Sequence, residues 1–288
     1  MADKKEFKND FSWSFSRDNA FNTCKRKYYY SYYGSWGGWN KDADELSKKL
    51  YMLNKMTSLP MLAGSIVHDE VERTLKVLRY GKKADIDKSK ENVIKNFKQS
   101  WSQSKNKEWK ENPKWKTNLF EHYYEKTMTD QELLDIRDLM INSVDGFFAS
   151  DSYRFIQTMS DTQWLAIEDL DSFEVHGAKL WVKLDFAIRH GERVYIYDWK
   201  RSKEIKKTNY NNETSIIPIL DHIPNSNYWH YTLQLNIYKK LLERNYNFVI
   251  DSLYLIVIHP ENKNYIKVNV PIIDELIIEL LEYKLNTL

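Results

Sequence analysis

The sequence predicts an α/β or α+β layer protein, with helices dominating its first half and a sheet assembled in its second. Two observations carry this. Apolar residues recur every three or four positions up to about residue 150, and from there they alternate with polar ones. The resulting order is helices, a strand meander, a helix, two further strands and a closing helix. The 288 residues, 42% hydrophobic and 29% charged, suffice for a sizeable core in one large domain or two modest ones.

Element by element, the first ten residues are polar and fray. "SFSRDNAFNTCKRKYYYSYYGSWGGW" reads as one helix from Ser16 or Arg17 into the tyrosines, ending near Gly34, with Gly37-Gly38 lowering local order. Residues 41–55 read as helical, and "SLPML" separates them from a helix over 63–78. Residues 82–112 carry Ile94, Phe97 and Trp101 at helical spacing among many charges, which predicts a long, largely solvated helix. Thr129 followed by Glu132 is a capping box, and Leu133, Ile136, Met140 and Val144 form one stripe behind it. The segment 82–150 therefore reads as a helical insert or subdomain.

"TQWLAIEDL", "FEVHG", "KLWVKLDFAIR" and "RVYIYDWK" read as successive strands. Residues 201–227 are polar and Asn-rich with one apolar island, "IIPIL", and read as a loop insert. "YWHYTLQLNIYKKLLERN" is helical, "SLYLIVIHP" and "NYIKVNV" are strands, and "IDELIIELLEYKL" closes the chain as a helix. No internal repeat is visible.

A net charge of +2 confines any nucleic-acid footprint to a local patch. One cysteine excludes an internal disulfide framework and a four-cysteine metal or iron–sulfur site. The charged start "MADKKEFKND" is not a signal peptide, and no apolar run has membrane-spanning length, so the cytoplasm is the expected compartment. Twenty Tyr and ten Trp suit a large core and suit base-stacking surfaces equally well.

Chemistry concentrates in "VKLDFAIRHGERVYIYDWKRSK". A two-residue turn at His190-Gly191 sets Asp185 opposite Ile196. Val182, Leu184, Phe186 and Ile188 then share a face with Tyr195, Tyr197 and Trp199, while Asp185, Asp198 and Lys200 occupy the other. The aspartates become diagonal neighbours, ~7–8 Å apart between Cα atoms. Two hard oxygen donors beside an amine can hold Mg²⁺ or Mn²⁺ and act on a phosphodiester. A solvated edge hairpin with an ordinary Asp-x-Lys surface pair fits the same residues. His68 and Glu72 share a helical face in "AGSIVHDEVERTL", with Gly64 one turn before. Gln234 and Tyr238 do the same in "HYTLQLNIYKKLL".

Taken in order, these residues resemble the RecB-type branch of the PD-(D/E)xK nuclease superfamily, related to Cas4-like and AddB-type nucleases. "FSWSFSRDNAFNTCKRKYYYSYYG" resembles the opening segment, Gly64 to His68 the Gly-x-x-x-His motif and Asp185 the first metal carboxylate. Asp198-Trp199-Lys200 resembles the (D/E)-x-K motif, and Gln234 to Tyr238 the Gln-x-x-x-Tyr motif. Single motifs this short are common; five in the right order are specific. The resemblance covers 11–80 and about 164–270.

It implies a restriction-endonuclease-like central mixed sheet flanked by helices, in one nuclease domain over 1–288. It further implies metal ligation by His68, Asp185, Asp198 and the Trp199 carbonyl, with Glu72 as an extra or supporting carboxylate. Lys200 assists the attacking water, and Gln234 and Tyr238 support the lysine or touch the DNA backbone. The chain has Lys183 where the family often has glycine, and it lacks the cluster cysteines of the Cas4-like and AddB-type members. The expectation is thus Mg²⁺ or Mn²⁺, no iron–sulfur cluster, and Cys24 as a small packed residue.

Arg17, Lys25, Arg26, Lys183, Arg201 and Lys203, with Tyr238, are the expected nucleic-acid contacts, because basic groups hold phosphates while aromatic rings stack bases. Solvated lysines and core tyrosines explain the same runs. The leading reading is a metal-dependent deoxyribonuclease of exonuclease or flap and end-processing type, acting on DNA that is single-stranded or has free ends. The alternative is a catalytically inactive nucleic-acid-binding or assembly module of a repair or defence complex. No helicase motif is present, so ATP-driven processivity requires a partner chain. Nothing supports a nucleotide-binding glycine loop or a Ser/Cys–His nucleophile.

Overall fold

The computed structural model describes residues 9, 11–160, 163–200, 202–259 and 265–286. The chain opens with a short strand β1 (Ser12–Trp13) and helices α1 (Phe15–Thr23) and α2 (Lys25–Tyr29), the latter running into a π turn (Tyr30–Gly34). The expected single helix is therefore broken, and Cys24 breaks it. Its backbone is extended, at φ −162° and ψ 108°, and its Sγ accepts the Lys27 N–H at 3.4 Å as the N-cap of α2. Cys24 is exposed rather than packed, because a capping side chain turns back to its own helix end at the surface. Gly38 is also more than a loosening element. A Cβ there would stand 2.2 Å from the Ser47 carbonyl oxygen, so glycine permits a backbone-to-backbone approach.

Next come α3 (Glu45–Asn54), β2 (Met56–Thr57) and α4 (Leu59–Arg79). α4 starts four residues before the expected 63–78 helix, since the first turn of a helix tolerates Pro60. Its Ser58 N-cap makes no side-chain bond. Instead the buried Glu121 carboxylate accepts the Leu59 N–H at 3.1 and 3.3 Å. α5 (Ile86–Lys105), β3 (Asn118–Leu119), α6 (Phe120–Tyr123), α7 (Asp130–Ala149) and α8 (Asp151–Ile156) follow. The Thr129–Glu132 capping box of α7 is formed as the sequence predicts. β2 and β3 pair in parallel. α5 and α7 share a core with α4: Leu62, Ile66 and Val67 pack with Val93, Phe97, Met140 and Val144.

The sheet comprises β4 (Trp164–Val175), β5 (Ala178–His190), β6 (Arg193–Lys200), β7 (Val249–Val257) and β8 (Ile266–Val270), in that spatial order. β6 and β7 are parallel and the other neighbours in this series antiparallel, so the sheet is mixed, with the crossover made by α9 (Asn227–Tyr246). α10 (Asp274–Asn286) closes the fold. β4 lines one edge of β5; β1 pairs with the other edge at Lys179 and Leu180, and β6 from Phe186 onward. Between those two partners the ladder is open, and Asp185 sits at the end of that opening.

Two sequence expectations change here. His190 pairs with Arg193, so the turn residues are Gly191, at φ +61°, and Glu192. The register is displaced by two, which preserves the faces. It also sets Asp185 directly across from Asp198, one step beyond the Phe186–Tyr197 pair, instead of diagonal to it.

The second change concerns the faces themselves. Leu180, Val182 and Leu184 pack in the cluster beneath α9 and α10, whereas Phe186 and Ile188 pack in the cluster beneath α4, α7 and α8. Side-chain alternation therefore switches at Asp185. Opposite it on β4, Glu168 has a left-handed backbone at φ 55°, and Ile167 and Phe173 fall in different clusters likewise. The side carrying Asp198 is no solvated face: Val194 and Ile196 share it and are buried against α9. A strand in the middle of a helix-covered sheet is buried on both sides.

The 201–227 segment is irregular where it is described, with a 3₁₀ turn at Pro218–Leu220 and a lone bridge between Thr214 and Pro224. Its apolar island is an anchor, as Leu220 and Ile223 are buried in the α9 and α10 cluster.

Candidate active site

α4 lies on one face of the sheet and α9 on the other, and both present side chains at the C-terminal end of β6. From α4, His68 points Nε2 at Asp185 Oδ2 (3.4 Å) and at the Trp199 carbonyl oxygen (3.4 Å). Its Nδ1 contacts Glu168 Oε1 at 2.7 Å. Asp185 Oδ2 also accepts the Trp199 N–H at 3.0 Å, which fixes the carboxylate against β6. From β6, Lys200 Nζ lies 2.5 Å from Asp198 Oδ2 and 4.5 Å from the centroid of the Tyr231 ring on α9. The sequence-predicted set of His68, Asp185, Asp198, the Trp199 carbonyl and Lys200 is thus gathered from three elements.

Glu168 joins them, unanticipated. Its side chain is 5% exposed, bonded to His68 through one oxygen and to Lys183 Nζ (2.5 Å) through the other. Ligand atoms of His68, Glu168 and Asp185 lie within 4.8 Å of one another. The sequence carried a signal for it. Val175 pairs with Ala178 around His176-Gly177, both at positive φ, so "VHGA" is a two-residue hairpin turn. Counting back from that turn brings Glu168 opposite Asp185. Glu72 stays outside this cluster and pairs with Lys76 one turn further along α4.

Burial and mutual charge set the protonation states. Burial opposes a charge on His68, but Asp185 and Glu168 outweigh it and lift its pKa from 6.5 to about 10. Burial likewise opposes ionisation of Asp185, yet His68, Lys200 and the Trp199 N–H hold its pKa below the usual carboxylate value. Asp198 is completely enclosed; burial first and Asp185 second push it up to about 7, against the pull of Lys200. Lys200 pays for burial but is raised by Asp198 and Asp185, so it is an ammonium and donates rather than accepts protons. Tyr238 is pushed up by burial and by the two aspartates, so its phenol stays protonated.

On α9, Tyr231, Gln234 and Tyr238 follow one another at helical spacing along one face. Gln234 Nε2 donates to the Tyr238 hydroxyl, as the motif spacing suggested. The Tyr231 hydroxyl meets Ser202 Oγ at 3.3 Å, which ties α9 to the segment after β6.

An imidazole nitrogen, carboxylate oxygens and a backbone carbonyl are donors suited to Mg²⁺ or Mn²⁺. Asp198 Oδ2 adds an enclosed oxygen whose close neighbour is the Lys200 ammonium, so a cation bound there would share this carboxylate with Lys200. The donor set fits a hard divalent ion.

The expected nucleic-acid contacts are spread more widely. Lys183 is at the site, on Glu168. Arg17 donates to the Ser12 carbonyl (3.0 Å) and lies over the Tyr32 ring (4.6 Å), so it holds the N-terminal segment together. Lys25 lies 5.4 Å over the Phe21 ring, and Lys25, Arg26 and Lys203 are exposed. Arg201 lies outside the described residues. Among the described residues no helix is long and apolar enough to cross a membrane.

The family model of the PD-(D/E)XK nuclease superfamily matches residues 12–286. Among solved structures, the chain is similar to a protein from Eubacterium rectale described as a candidate exonuclease. The identity is 16%, 98% of this chain and 82% of that one are covered, and the TM-score is 0.47. A second solved structure, SSO0001, is 16% identical over 59% of this chain and 69% of that one, with a TM-score of 0.27. No curated protein matches the sequence.

Proposed function

Because this chain belongs to the PD-(D/E)XK nuclease superfamily, we propose that it is a divalent-metal-dependent nuclease that hydrolyses DNA phosphodiester bonds. The observation that carries the reading is the convergence of His68, Glu168, Asp185, Asp198 and Lys200 from α4, β4, β5 and β6 at one point. A purely structural role would leave no reason to bury so many ionisable groups together.

In this reading His68, Asp185, Asp198, Glu168 and the Trp199 carbonyl hold Mg²⁺ or Mn²⁺. The ion supplies a Lewis acid that polarises the phosphodiester. Lys200, kept as an ammonium between Asp198 and the Tyr231 ring, donates hydrogen bonds to the attacking water and to the phosphate oxygens. Gln234 and Tyr238 form a neutral hydrogen-bonded pair on the α9 side and orient the lysine and the backbone of the substrate. Lys183 neutralises Glu168 in the free protein and is close enough to meet a phosphate. Lys25, Arg26 and Lys203 supply further backbone contacts, and α5 to α7 are an insert within one nuclease domain. Exonuclease or end-processing activity on single strands or free ends is the mode this reading favours.

The test is cleavage of end-labelled single-stranded, duplex and nicked DNA and of RNA, with Mg²⁺ or Mn²⁺ present. Wild type degrades one or more DNA substrates, while Asp185→Ala and Lys200→Ala do not. Equal cleavage by all three proteins would remove the site assignment. Metal-dependent DNA binding without cleavage under any condition would favour the inactive assembly module.

A further inference from the structure

Away from the ion cluster, on the face of the sheet beneath α8, tyrosines gather with a cation. Tyr195 and Tyr197 of β6, Tyr254 of β7, Tyr265, and Phe155 of α8 line a cleft of about 350 Å³ with Lys267 of β8 at its rim. Through Tyr265 and Lys267 it continues into a more polar hollow of about 450 Å³ beside Arg154. The rings are close: Tyr197 and Tyr254 have centroids 5.1 Å apart, and Lys267 Nζ lies 3.7 Å from the Tyr254 centroid.

Two features distinguish this cleft from core packing. Phe155 is 46% exposed, and Tyr195, Tyr254 and Tyr265 are half-buried around the buried Tyr197. Lys267 has no carboxylate partner among the described residues, while Arg154 is paired with Asp151. The cleft therefore offers partly exposed rings and, with Asp151 offset by Arg154, a net positive rim from Lys267, the combination that takes up unstacked bases and their phosphates.

Strand register gives the cleft a direction. Tyr195 pairs with Ser252 near the hairpin end, Tyr197 with Tyr254, and Lys200 with Val257, which pairs with Ile266. Tyr265 lies one residue beyond Ile266. The aromatic row thus runs from the β5–β6 turn across three strands to the level of Lys200.

The geometry points to a second nucleic-acid site in this cleft: it binds a single-stranded segment of the substrate, with bases on Tyr254, Tyr265 and Phe155 and a phosphate on Lys267. This deepens the nuclease reading and rests on it. A duplex does not fit the proposal, since its bases present no free faces.

The test measures binding separately from cleavage. Anisotropy of a fluorescein-labelled oligodeoxythymidine is titrated in EDTA with the full chain, as wild type, Tyr254→Ala, Tyr265→Ala, Tyr254→Phe and Lys267→Ala. Each Tyr→Ala change weakens single-strand binding by roughly tenfold or more. Tyr254→Phe binds as wild type, and Lys267→Ala lowers the slope of log affinity against log salt by about 0.7. Photocrosslinking of a 5-iodouracil oligonucleotide to the wild type, mapped by mass spectrometry, reports on Tyr254 and Tyr265 even if a variant folds poorly. Crosslinks confined to other segments, or unchanged binding by folded Tyr→Ala variants, overturn the cleft while leaving a cleaving wild type as a nuclease. Displacement by free thymidine monophosphate as effective as by the oligonucleotide overturns the strand in favour of a mononucleotide site. A wild type that neither binds nor cleaves any nucleic acid overturns this proposal together with the reading beneath it.

Discussion

Glu168 holds His68 through Nδ1 at 2.7 Å, which turns the imidazole so that Nε2 faces Asp185. Against the opposing effect of burial, Asp185 and then this Glu168 contact keep a proton on His68, with a pKa raised to about 10. That value exceeds the 6.5 of an unperturbed histidine, so the stabilisation from the charged imidazole is complete below pH 6.5 and is lost as pH rises through about 10.

A divalent ion that takes His68 as a ligand must displace this proton, and Asp198 must ionise as well. Affinity for Mn²⁺ therefore rises between pH 6 and 9, and binding releases protons. Calorimetry in buffers of different ionisation enthalpy reads the release directly. His68→Asn should reduce the number of protons lost, and Glu168→Ala, which removes both a proposed ligand and the group that orients His68, should weaken binding by roughly 10–100-fold or more. A pH-independent affinity would remove His68 from the ligand set.

Tyr231 was not singled out by any motif, yet its ring faces the Lys200 ammonium at 4.5 Å. An ammonium over a partly desolvated ring gains about 0.5–2 kcal/mol. Tyr231→Phe keeps the ring and should retain nearly full kcat, whereas Tyr231→Leu should lower kcat about tenfold with little change in KM. A series of fluorinated phenylalanines at this position provides the check, because a graded fall in rate with ring electron density distinguishes a cation–π contact from shape alone.

Glu70 is buried on α4, gripped by Arg73 through Nε at 2.9 Å and approached by Asn92 at 3.3 Å. Removing the guanidinium strands a buried carboxylate. Arg73→Ala should cost roughly 2–3 kcal/mol, discounted from the fully buried case because Arg73 is partly exposed. Urea denaturation measures it, and the double variant Glu70→Leu with Arg73→Ala should recover much of the loss.

The N-terminus of α4 depends on Glu121, sixty-two residues away in sequence. Glu121→Ala uncaps the helix that carries His68 and should lower stability by about 1–2 kcal/mol. Hydrogen exchange localised to the first turn of α4 would show the effect, and equal protection in both proteins would contradict it.

The parts of the site that sequence made legible are those whose geometry is local or motif-bound. Asp198 and Lys200 lie on one strand, and Gln234 and Tyr238 on one helix face, so spacing alone relates them. The parity of the β5–β6 hairpin holds although its turn lies one residue further on, because moving the turn by one shifts the register by two and returns each side chain to its face. Glu168 and Tyr231 were missed because their roles come from pairings between elements. The alternation switch at Asp185 was invisible for a further reason: it depends on a left-handed residue at Glu168, and nothing in "AIEDL" demands that conformation. Cysteine is commonly buried, but Cys24 stands between two short helices, where its thiol caps α2 at the surface.

Cys24 is the chain's only thiol, and it is exposed. It stands at the junction of α1 and α2, beside Lys25 and Arg26 and one turn from Phe21 and Tyr28. These 288 residues therefore carry a single labelling position with no competing cysteine to remove. A maleimide dye attached there becomes a spectroscopic reporter at the basic and aromatic end of the molecule, able to time the arrival of a quencher-tagged strand in wild-type sequence.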